Sequence, residues 1–471
     1  MSFSPIHFGT SGWRAVIADA FTSANVEKAV HGIATYVAGS SKHPALLVGY
    51  DTRFLSETFA DQATKILSSR GIDSYLSERA VPTPALAYEI RRLRTDGGIN
   101  ITASHNPPEY NGIKFSSSNG APALPEVTRQ IEQAITSPSP LAPPPQAGRI
   151  ETLDLVPAYL DELARKVNLD VIRAGGLRLV YDPLYGTGVG YLDNLLRQAG
   201  GHVVTIHGYR DVLFGGHPPE PAEDYLHALH AAMKEHSAHL GLATDGDADR
   251  FGIVDEDGSF ISPNHILALL LDYLVESRSW AKEPGWNGGV ARSVATTHLL
   301  DAVARHHGLP VHETPVGFKY IGELIEQDRI ILGGEESAGM TIRRHVPEKD
   351  GILACLLTAE MVASRQTPLR EQLGSLFRKV GAYYPGRWNV PLTETVRNRF
   401  IERTRQEYSV FDGRRVAKIQ RLDGLKLILE DGAWVLFRLS GTEPVCRMYC
   451  EASAPELLAE LERAGRTFLF N

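Results

Sequence analysis

Three carboxylates spaced two residues apart form the sharpest chemical signal in the sequence. Asp245, Asp247 and Asp249 follow an apolar run, 239–244, whose pattern predicts a buried strand. Carboxylates placed this close together repel one another, and a hard divalent cation with oxygen ligands removes that repulsion. The triplet therefore predicts a Mg²⁺ site at the end of a strand.

The same triplet has other interpretations. An EF-hand loop also begins with alternating aspartates, and Glu256 occupies its twelfth position, but Arg250 stands at the sixth position, where that loop needs glycine. A phosphohydrolase with an aspartate nucleophile would use Asp245 for attack and Asp247 as the acid. The remaining alternative is a solvated acidic turn that binds no ligand.

A serine at a corner of the chain is the second chemical signal. The run 98–103 predicts a short strand, and Pro107 and Pro108 prevent its regular continuation, so Ser104 lies where the strand becomes a loop. A hydroxyl fixed at such a corner can act as a nucleophile or carry a phosphoryl group. Phosphorylated Ser104 would also supply Mg²⁺ with an oxygen that three aspartates leave missing. The alternative is an ordinary Asx or proline turn capped by the serine.

The residues around Ser104 add two expectations about local structure. We expect His105 to point away from the serine, since the sequence supports no Ser-His-Asp arrangement. Asn111 and Gly112 predict a tight turn, which brings in the cation of Lys114 directly afterwards.

Two further loops carry groups that suit a phosphate. The segment 8–14 combines glycines and hydroxyls with Arg14, and backbone N–H groups together with an arginine fork are a good phosphate site. The second loop offers a guanidinium, two hydroxyls and free backbone N–H groups: Arg438, Ser440, Gly441 and Thr442. Each loop, taken by itself, is also explained as a plain turn.

Composition limits the class of protein. The chain has 471 residues, a formal net charge of -8 and a pI of about 6.1, which argues against nucleic acid or an anionic membrane as a partner. Its three cysteines form no CxxC pattern, which argues against a zinc site or a disulfide framework. The N-terminus lacks the features of a signal peptide, and the apolar run 266–275 is too short to span a bilayer. We therefore expect a soluble protein of the reducing cytoplasm.

The elements that must position these residues alternate strand and helix over most of the chain. In such α/β sheets ligands gather at the carboxyl ends of strands, where both Asp51 and Ser104 fall. The proline-rich segment 137–145 predicts a linker, and a hairpin pattern begins after Tyr384. These patterns predict an internally repeated, mostly parallel α/β architecture that is followed by a small α+β C-terminal domain.

Four motifs together resemble the signatures of the alpha-D-phosphohexomutases. They are T-A-S-H-N-P at 102–107, D-G-D-A-D-R at 245–250, G-E-E-S at 334–337 and R-L-S-G-T-E-P at 438–444. They occur in that family's order and span essentially the whole chain. The resemblance implies three similar α/β domains with mixed, mostly parallel sheets and a smaller α+β C-terminal domain around a central cleft, with bounds at 1–145, 146–256, 257–382 and 383–471. It also implies a phosphoryl group carried on Ser104, and Mg²⁺ held by Ser104, Asp245, Asp247 and Asp249.

The resemblance also implies roles for other residues. Glu335 and Ser337 would hold sugar hydroxyls, with Gly317 and Lys319 beside them in the substrate site. The other phosphate of the substrate would lie against Arg438, Ser440, Gly441 and Thr442. Charged catalytic positions of the family are matched by Arg14, Lys114, Arg250 and Lys349.

A reaction follows from the same resemblance. Phosphorylated Ser104 would phosphorylate a hexose monophosphate, and the resulting hexose 1,6-bisphosphate, an intermediate and activator, would return its other phosphate to the serine. Lys114 or Lys349 would be the general acid and base if burial among cations lowers its pKa. The segments 314–319 and 334–339, together with Gly441, resemble those of glucose enzymes most, with phosphomannomutase and phosphoglucosamine mutase as alternatives. Small sugar phosphates would be the partners of a monomer or homodimer.

Overall fold

Four β-sheets follow one another along the described part of the chain. The computed structural model describes residues 6–9, 12–39, 41–136, 144, 146–440 and 444–470. Most of the predicted linker, 137–143 and 145, lies outside the described residues. The predicted fold class is confirmed, because the first three sheets are mixed and packed with helices, whereas the fourth is antiparallel.

In the first unit, Ser104 lies just beyond the end of a central strand of the sheet. Its elements are β1 Trp13–Val16, α1 Ser23–Ala38, β2 Ala45–Tyr50, α2 Ser56–Ser69, β3 Asp73–Ser77, α3 Thr83–Leu93, β4 Gly97–Ile101, β5 Tyr110–Ser117, α4 Pro125–Thr136 and β6 Ile150–Leu153. The strand order is β1-β5-β4-β2-β3-β6. The strands β4, β2, β3 and β6 run parallel, whereas β5 is antiparallel to both of its neighbours.

The second unit carries the acidic triplet between two strands. Its elements are α5 Val156–Lys166, α6 Leu169–Gly175, β7 Arg178–Asp182, α7 Leu192–Gln198, β8 His202–Thr205, α8 His227–Glu235, β9 Leu240–Thr244, β10 Phe251–Asp255 and β11 Phe260–Ile261. The strand order is β11-β10-β9-β7-β8. Because β9 and β10 pair antiparallel, the acidic residues occupy a hairpin turn, which excludes the helix–loop–helix of an EF-hand.

The third unit places the segments around Gly317 and Glu335 at the ends of its strands. Its elements are α9 Pro263–Ser277, β12 Gly289–Ser293, α10 Leu299–His306, β13 Val311–Thr314, α11 Phe318–Glu326, β14 Ile330–Glu335, β15 Gly339–Ile342, α12 Gly351–Arg365 and α13 Leu369–Val380. The strand order is β13-β12-β14-β15, with only β15 antiparallel. The helix α9 begins where Ser262 Oγ accepts a hydrogen bond from His265 N, with Pro263 in the first helical turn.

The fourth unit is a meandering antiparallel sheet with helices. Its elements are β16 Tyr384–Pro391, α14 Glu394–Arg403, β17 Val410–Phe411, β18 Arg414–Gln420, β19 Leu425–Leu429, β20 Trp434–Leu439, β21 Val445–Ala452 and α15 Pro455–Phe470. The strand order is β16-β21-β20-β19-β18-β17. The hairpin β19–β20 was predicted from the sequence and places Arg438 near the end of β20.

The hydrophobic cores show how the units are joined. One continuous core includes Leu47 of the first unit, Tyr181 of the second and Leu267 of the third. The first unit has a further core on the other face of its sheet, which includes Val48 and Ile99. The fourth unit contributes none of its described buried residues to the shared core; it has a core of its own and meets the third unit through a small apolar cluster that includes Val294 and Trp434. The first three units therefore form one packed body to which the fourth is attached. No helix in the described residues is long and apolar enough to cross a bilayer.

Three local features differ from the sequence-based expectations. Gly112 lies inside β5 rather than in a tight turn, and a Cβ there would lie 2.5 Å from Thr102 O and 2.6 Å from Trp13 O. Glycine is thus needed for close strand packing, a demand that the local sequence does not distinguish from a turn. The strand β6 completes the first sheet although it follows the predicted bound at 145, and β11 completes the second although it follows 256. We therefore propose divisions after residues 153 and 261.

Candidate active site

The corner predicted at Ser104 is present and buried. Ser104 follows the end of β4 with a left-handed φ of 53°, and its backbone N donates to Thr102 Oγ1 at 2.8 Å, which stabilises the bend. The residue is 1% exposed, and its Oγ donates to Asp245 Oδ2 at 2.8 Å. A hydroxyl of the first unit and a carboxylate of the second therefore meet in one buried site.

Arg53, to which the sequence patterns gave no role, holds this corner in place. Its guanidinium is fully buried and forms a salt bridge of 3.1 Å with Asp51. It donates to four backbone oxygens of the serine loop: Ser104 at 2.6 Å, Asn106 at 2.5 Å, Pro107 at 2.8 Å and Tyr110 at 3.0 Å. The available signal was its position just after β2, at the carboxyl edge of the sheet.

The acidic triplet is buried as a group. One ligand oxygen from each of Asp245, Asp247 and Asp249 lies within 4.8 Å of the other two. Arg250 N donates to Asp245 Oδ1 at 2.9 Å, and Thr83 Oγ1 donates to Asp247 Oδ2 at 2.5 Å. The first unit thus contributes Thr83 as well as Ser104 to the surroundings of the carboxylates.

Neighbouring charges give the three carboxyls different pKa values. Burial raises the pKa of Asp245 well above its usual value, and the charges of Asp249 and Asp247 raise it further. Burial also opposes ionisation of the other two, but the ammonium of Lys114 lowers the pKa of both, aided at Asp249 by Lys349. Asp247 and Asp249 are therefore ionised.

Two lysines lie directly against the carboxylates. Lys114 Nζ is 2.5 Å from Asp247 Oδ2 and 2.9 Å from Asp249 Oδ2, and Lys349 Nζ is 3.1 Å from Asp249 Oδ2. Burial would lower the pKa of each lysine, but the carboxylates outweigh it, so both pKa values lie above the ordinary one. The expectation of a pKa lowered by surrounding cations is wrong for both, because their nearest charged partners are acidic.

Two further cations lie beside the serine loop and the acidic triplet. Arg14 Nη1 donates to Asn106 Oδ1 at 2.6 Å, and Arg250 Nε lies 4.0 Å from Asp249 Oδ1. His105 Nδ1 lies 3.4 Å from Ser104 Oγ, so the expectation that this ring points away is wrong. Burial, with the charges of Arg250 and Arg14, holds the pKa of His105 well below its usual value, so the ring is neutral.

The third unit brings Glu335 and its neighbours towards the site. Glu335 ends β14, and its Oε1 accepts a hydrogen bond of 2.8 Å from Gly317 N. Gly317 has a φ of 134°, a conformation that favours glycine. Burial raises the pKa of Glu335 to about 7, with a smaller contribution from Glu336. Ser337 and Lys319 are half-buried in the adjoining turn and helix.

The fourth unit presents Arg438 from β20. Its Nη2 donates to Asp423 Oδ2 at 2.8 Å, whereas its buried Nε has no hydrogen-bond partner among the described residues. Ser440 lies buried just past the end of the strand. Gly441 and Thr442 lie outside the described residues. Within the described ranges no hydrogen bond or ion pair joins Arg438 to Asp245, Asp247 or Asp249, so the candidate site consists of two separate groups of residues.

The oxygen set fits a hard divalent cation. Asp247 Oδ1 and Asp249 Oδ1 are buried, and neither has a hydrogen-bond partner in the described part of the chain. A buried carboxylate oxygen without a partner is unfavourable, and a cation between these two would satisfy both. Ser104 and the three aspartates offer only oxygen ligands, which Mg²⁺ prefers.

Comparisons with known proteins identify the same four units. The phosphoglucomutase/phosphomannomutase family is described by four domain profiles, and all four match in order. The alpha/beta/alpha domains I, II and III match residues 5–141, 157–258 and 262–380, and the C-terminal domain matches residues 397–465.

Relatives match over nearly their full length. A phosphoglucomutase/phosphomannomutase of Thermococcus kodakarensis is 30% identical, with 97% of each chain covered. A provisionally named phosphoglucosamine mutase of Pyrococcus horikoshii is 30% identical, with 98% of this chain and 97% of the relative covered. The crystal structure of a provisionally identified phosphomannomutase from Thermus thermophilus superposes with a TM-score of 0.85 at 33% identity, covering 99% of this chain and 100% of that one.

These matches, together with the shared fold, identify the protein class. The chain belongs to the phosphoglucomutase/phosphomannomutase family, whose members are phosphohexomutases, enzymes that transfer a phosphoryl group within a sugar. The family resemblance and the predicted enzyme class are confirmed. The names of the relatives refer to different sugars, so family membership defines the type of reaction and not its substrate.

Proposed function

We propose that the protein interconverts the 1-phosphate and 6-phosphate of a hexose, preferentially glucose, through a phosphoserine at Ser104 and a hexose 1,6-bisphosphate. The observation that carries this proposal is the 2.8 Å hydrogen bond between Ser104 Oγ and Asp245 Oδ2. In this contact a buried hydroxyl touches one of the three carboxylates that we propose bind a cation. A phosphoryl carrier needs this arrangement, because its charge must be stabilised while water is kept out.

The proposed transfer conserves all atoms. The bond between phosphorus and Ser104 Oγ breaks while a bond forms to the free hydroxyl oxygen of the sugar, and the hydroxyl proton ends on Ser104 Oγ. The raised pKa values of Lys114 and Lys349 keep both as ammonium groups, which donate to the transferring oxygens. Arg14 and Arg250 add positive charge beside the same atoms, and the backbone contacts of Arg53 keep the serine oriented.

A divalent cation would be held by Ser104, Asp245, Asp247 and Asp249. Mg²⁺ bound there would neutralise negative charge that develops on the transferring phosphoryl group. Asp247 Oδ1 and Asp249 Oδ1 support this assignment, because both are buried and have no hydrogen-bond partner among the residues that the structure describes.

The sugar and its second phosphate would lie between the third and fourth units. Glu335 and Ser337 would accept and donate hydrogen bonds at sugar hydroxyls, with Gly317 and Lys319 beside them. The non-reacting phosphate would bind the loop that follows β20, through Arg438, Ser440, Gly441 and Thr442. After the first transfer the bisphosphate would reorient, exchange its two phosphates between these sites, and rephosphorylate Ser104.

The choice of glucose is supported by the sequence of two substrate-facing segments, 314–319 and 334–339. Coupled assays with the 1-phosphates of glucose, mannose and glucosamine test it, with the intact mass of the purified protein measured alongside. We expect glucose 1-phosphate to give the highest kcat/KM and part of the protein to carry one phosphate on Ser104. A clear preference for mannose or glucosamine phosphate would overturn the substrate, whereas net phosphate release without phosphoserine would indicate an aspartate-nucleophile phosphatase.

We also propose a cytoplasmic location. All three cysteines, Cys355, Cys446 and Cys450, are free and buried, as expected in a reducing compartment. The proposed assembly is a monomer or a homodimer, which size-exclusion chromatography with light scattering would distinguish.

A further inference from the structure

One carboxylate joins the third and fourth units beside the proposed phosphate site. Asp423 lies in the loop between β18 and β19. Its Oδ2 accepts two hydrogen bonds, one of 2.8 Å from Arg438 Nη2 in its own unit and one of 2.9 Å from Val316 N in the third unit. The same oxygen therefore contacts both the arginine side chain and the loop before α11.

The backbone next to Asp423 is shaped to reach this arginine. Gly424 has a φ of 102°, and a Cβ at this position would lie 2.3 Å from Phe437 O and 2.9 Å from Arg438 Cγ. Only glycine lets the loop pass so close to the base of the arginine side chain. The pairing is thus built into the backbone rather than formed by two long side chains meeting at the surface.

The loop that contacts Asp423 also contacts Glu335, the carboxylate proposed to bind the sugar. Val316 donates to Asp423, and the next residue, Gly317, donates to Glu335 Oε1 at 2.8 Å. Two consecutive backbone N–H groups therefore join the carboxylate of Glu335 to that of Asp423. The spacing between Glu335 and Arg438 is set by this short chain of contacts.

A second contact holds the start of β19, just after this loop, against the third unit. Lys426, three residues beyond Asp423, is fully buried, and its Nζ donates to Val294 O at 2.8 Å. Its Nζ also lies 3.9 Å from the ring centroid of Trp434, which is part of the apolar cluster between the two units. The segment 423–426 is thus anchored at both ends, so Asp423 meets Val316 in a fixed register.

The arginine keeps binding capacity in this arrangement. Only Nη2 is used by Asp423, and the buried Nε has no hydrogen-bond partner among the described residues. A guanidinium restrained by one carboxylate has lost side-chain freedom before an anion arrives, which lowers the entropic cost of binding. The Asp423 carboxylate, by binding one N–H group of the guanidinium, thus fixes the direction of the other N–H groups and leaves them able to bind an anion.

We infer that Asp423 is a positioning residue that holds Arg438 ready for the non-reacting phosphate and ties it to the sugar-binding loop of the third unit. The inference rests on the proposed role of Arg438 in binding phosphate. Asp423 itself touches neither the sugar nor the reacting phosphoryl group. Its effect is on the affinity for the substrate, because it organises the arginine before binding.

The test is a double-mutant cycle on the full-length protein with glucose 1-phosphate as the probe. Asp423→Ala, Arg438→Ala, the double variant and Asp423→Asn are compared by steady-state kinetics and by calorimetric binding to the dephosphorylated protein. We expect Asp423→Ala to raise KM and Kd about tenfold while kcat changes less than about twofold. In the Arg438→Ala background the same change adds less than about twofold, since the residue to be positioned is gone. Asp423→Asn recovers part of the loss, because an amide oxygen still accepts from Val316 N.

The outcomes separate the inference from the proposed function. If Arg438→Ala leaves binding and turnover unchanged, the phosphate role of Arg438 fails. If Arg438→Ala weakens binding but Asp423→Ala adds the same factor with or without Arg438, the proposed function stands and the positioning role is overturned. A lower KM for Asp423→Ala would overturn it too, because Asp423 would then compete with the phosphate. A loss confined to kcat and melting temperature would instead show a purely structural contact and would overturn the positioning role.

Glu430→Ala, which removes an exposed partner of Arg415 in the same unit, serves as the control and is expected to behave as the wild type.

Discussion

The two ends of the candidate active site differ in how firmly the protein holds them. At the serine end, Ser104, Asp245 and Lys349 come from three different units that are joined by one shared core, although the first unit also has a second core of its own. At the arginine end, Arg438 belongs to a unit with its own core, joined to the third by a small apolar cluster and by contacts such as that of Asp423. The serine end is therefore held inside the packed body of the first three units, whereas the arginine end belongs to a separately packed unit, called here the attached module.

This difference matches the demands of the two proposed tasks. Phosphoryl transfer depends on placement within a fraction of an ångström, which a shared core and buried hydrogen bonds provide. Binding a distant phosphate must allow substrate to enter and a bisphosphate to reorient, which a separately packed unit permits. Substitutions at the serine end should therefore abolish the chemistry, and those at the arginine end should weaken binding and orientation.

The largest effect is expected for Ser104→Ala. Without the carrier oxygen no phosphoryl group can be held, so turnover should fall by about four orders of magnitude or more. The fold should persist, because the corner is held by Arg53 through backbone oxygens rather than through the serine hydroxyl. Coupled assays, circular dichroism and intact mass measure this. Normal turnover by a folded variant would contradict the carrier role.

The next largest effect is expected for Asp247→Asn. This change should lower kcat/KM by about 100-fold or more, since it removes one negative charge from the proposed cation site. Chelation of the wild type should inactivate it, and Mg²⁺ should restore activity. The exposed Asp257→Asn in the neighbouring hairpin is a matched control. Full activity of the wild type after chelation, with metal content measured as absent, would rule out the site.

Arg438→Ala tests the attached module. The loss of a charge-assisted contact to phosphate should lower kcat/KM by about 2–4 kcal/mol, and phosphorylation of Ser104 should persist because the serine end is intact. The bisphosphate should escape more readily, which a trapping assay detects. The exposed Arg415→Ala is the control in the same unit. Unchanged kinetics with no escaped intermediate would contradict the binding role.

The smallest effect concerns the stability of the junction between the third and fourth units. Burial lowers the pKa of Lys426 to about 7 from its usual 10.5, with a further contribution from Arg292. Between these pH values the unfolded chain binds the proton that the folded chain lacks, so the free energy of unfolding rises with pH over that window. Lys426→Met should reduce this rise, measured by thermal unfolding between pH 7 and 10. The control is the exposed Lys418→Met, which should leave the pH dependence of the unfolding free energy as in the wild type. The same unchanged pH dependence in Lys426→Met would contradict the burial of this lysine in solution.

Much of the fold could be predicted from the sequence, because the ends of many helices and strands depend on residues close to them in the chain. The strands β2 and β19, the helix α2 and the capped start of α9 follow from apolar periodicity and from cap residues. Motif chemistry likewise predicted that Ser104 and the three aspartates belong to one site. Gly112 was misinterpreted because glycine serves both turns and close strand packing, and only the neighbouring strands reveal which applies.

The sequence by itself determined the fold class, the order of the four units, and the residue types able to carry a phosphoryl group and bind a cation. Those properties depend on local periodicity and on side-chain chemistry. Only the tertiary structure decided that Arg53 holds the serine corner, that His105 faces Ser104, that Lys114 and Lys349 have raised pKa values, and that Asp423 joins two units. Each of these depends on which distant residue lies within a few ångströms, and electrostatic and hydrogen-bond energies change steeply over that range.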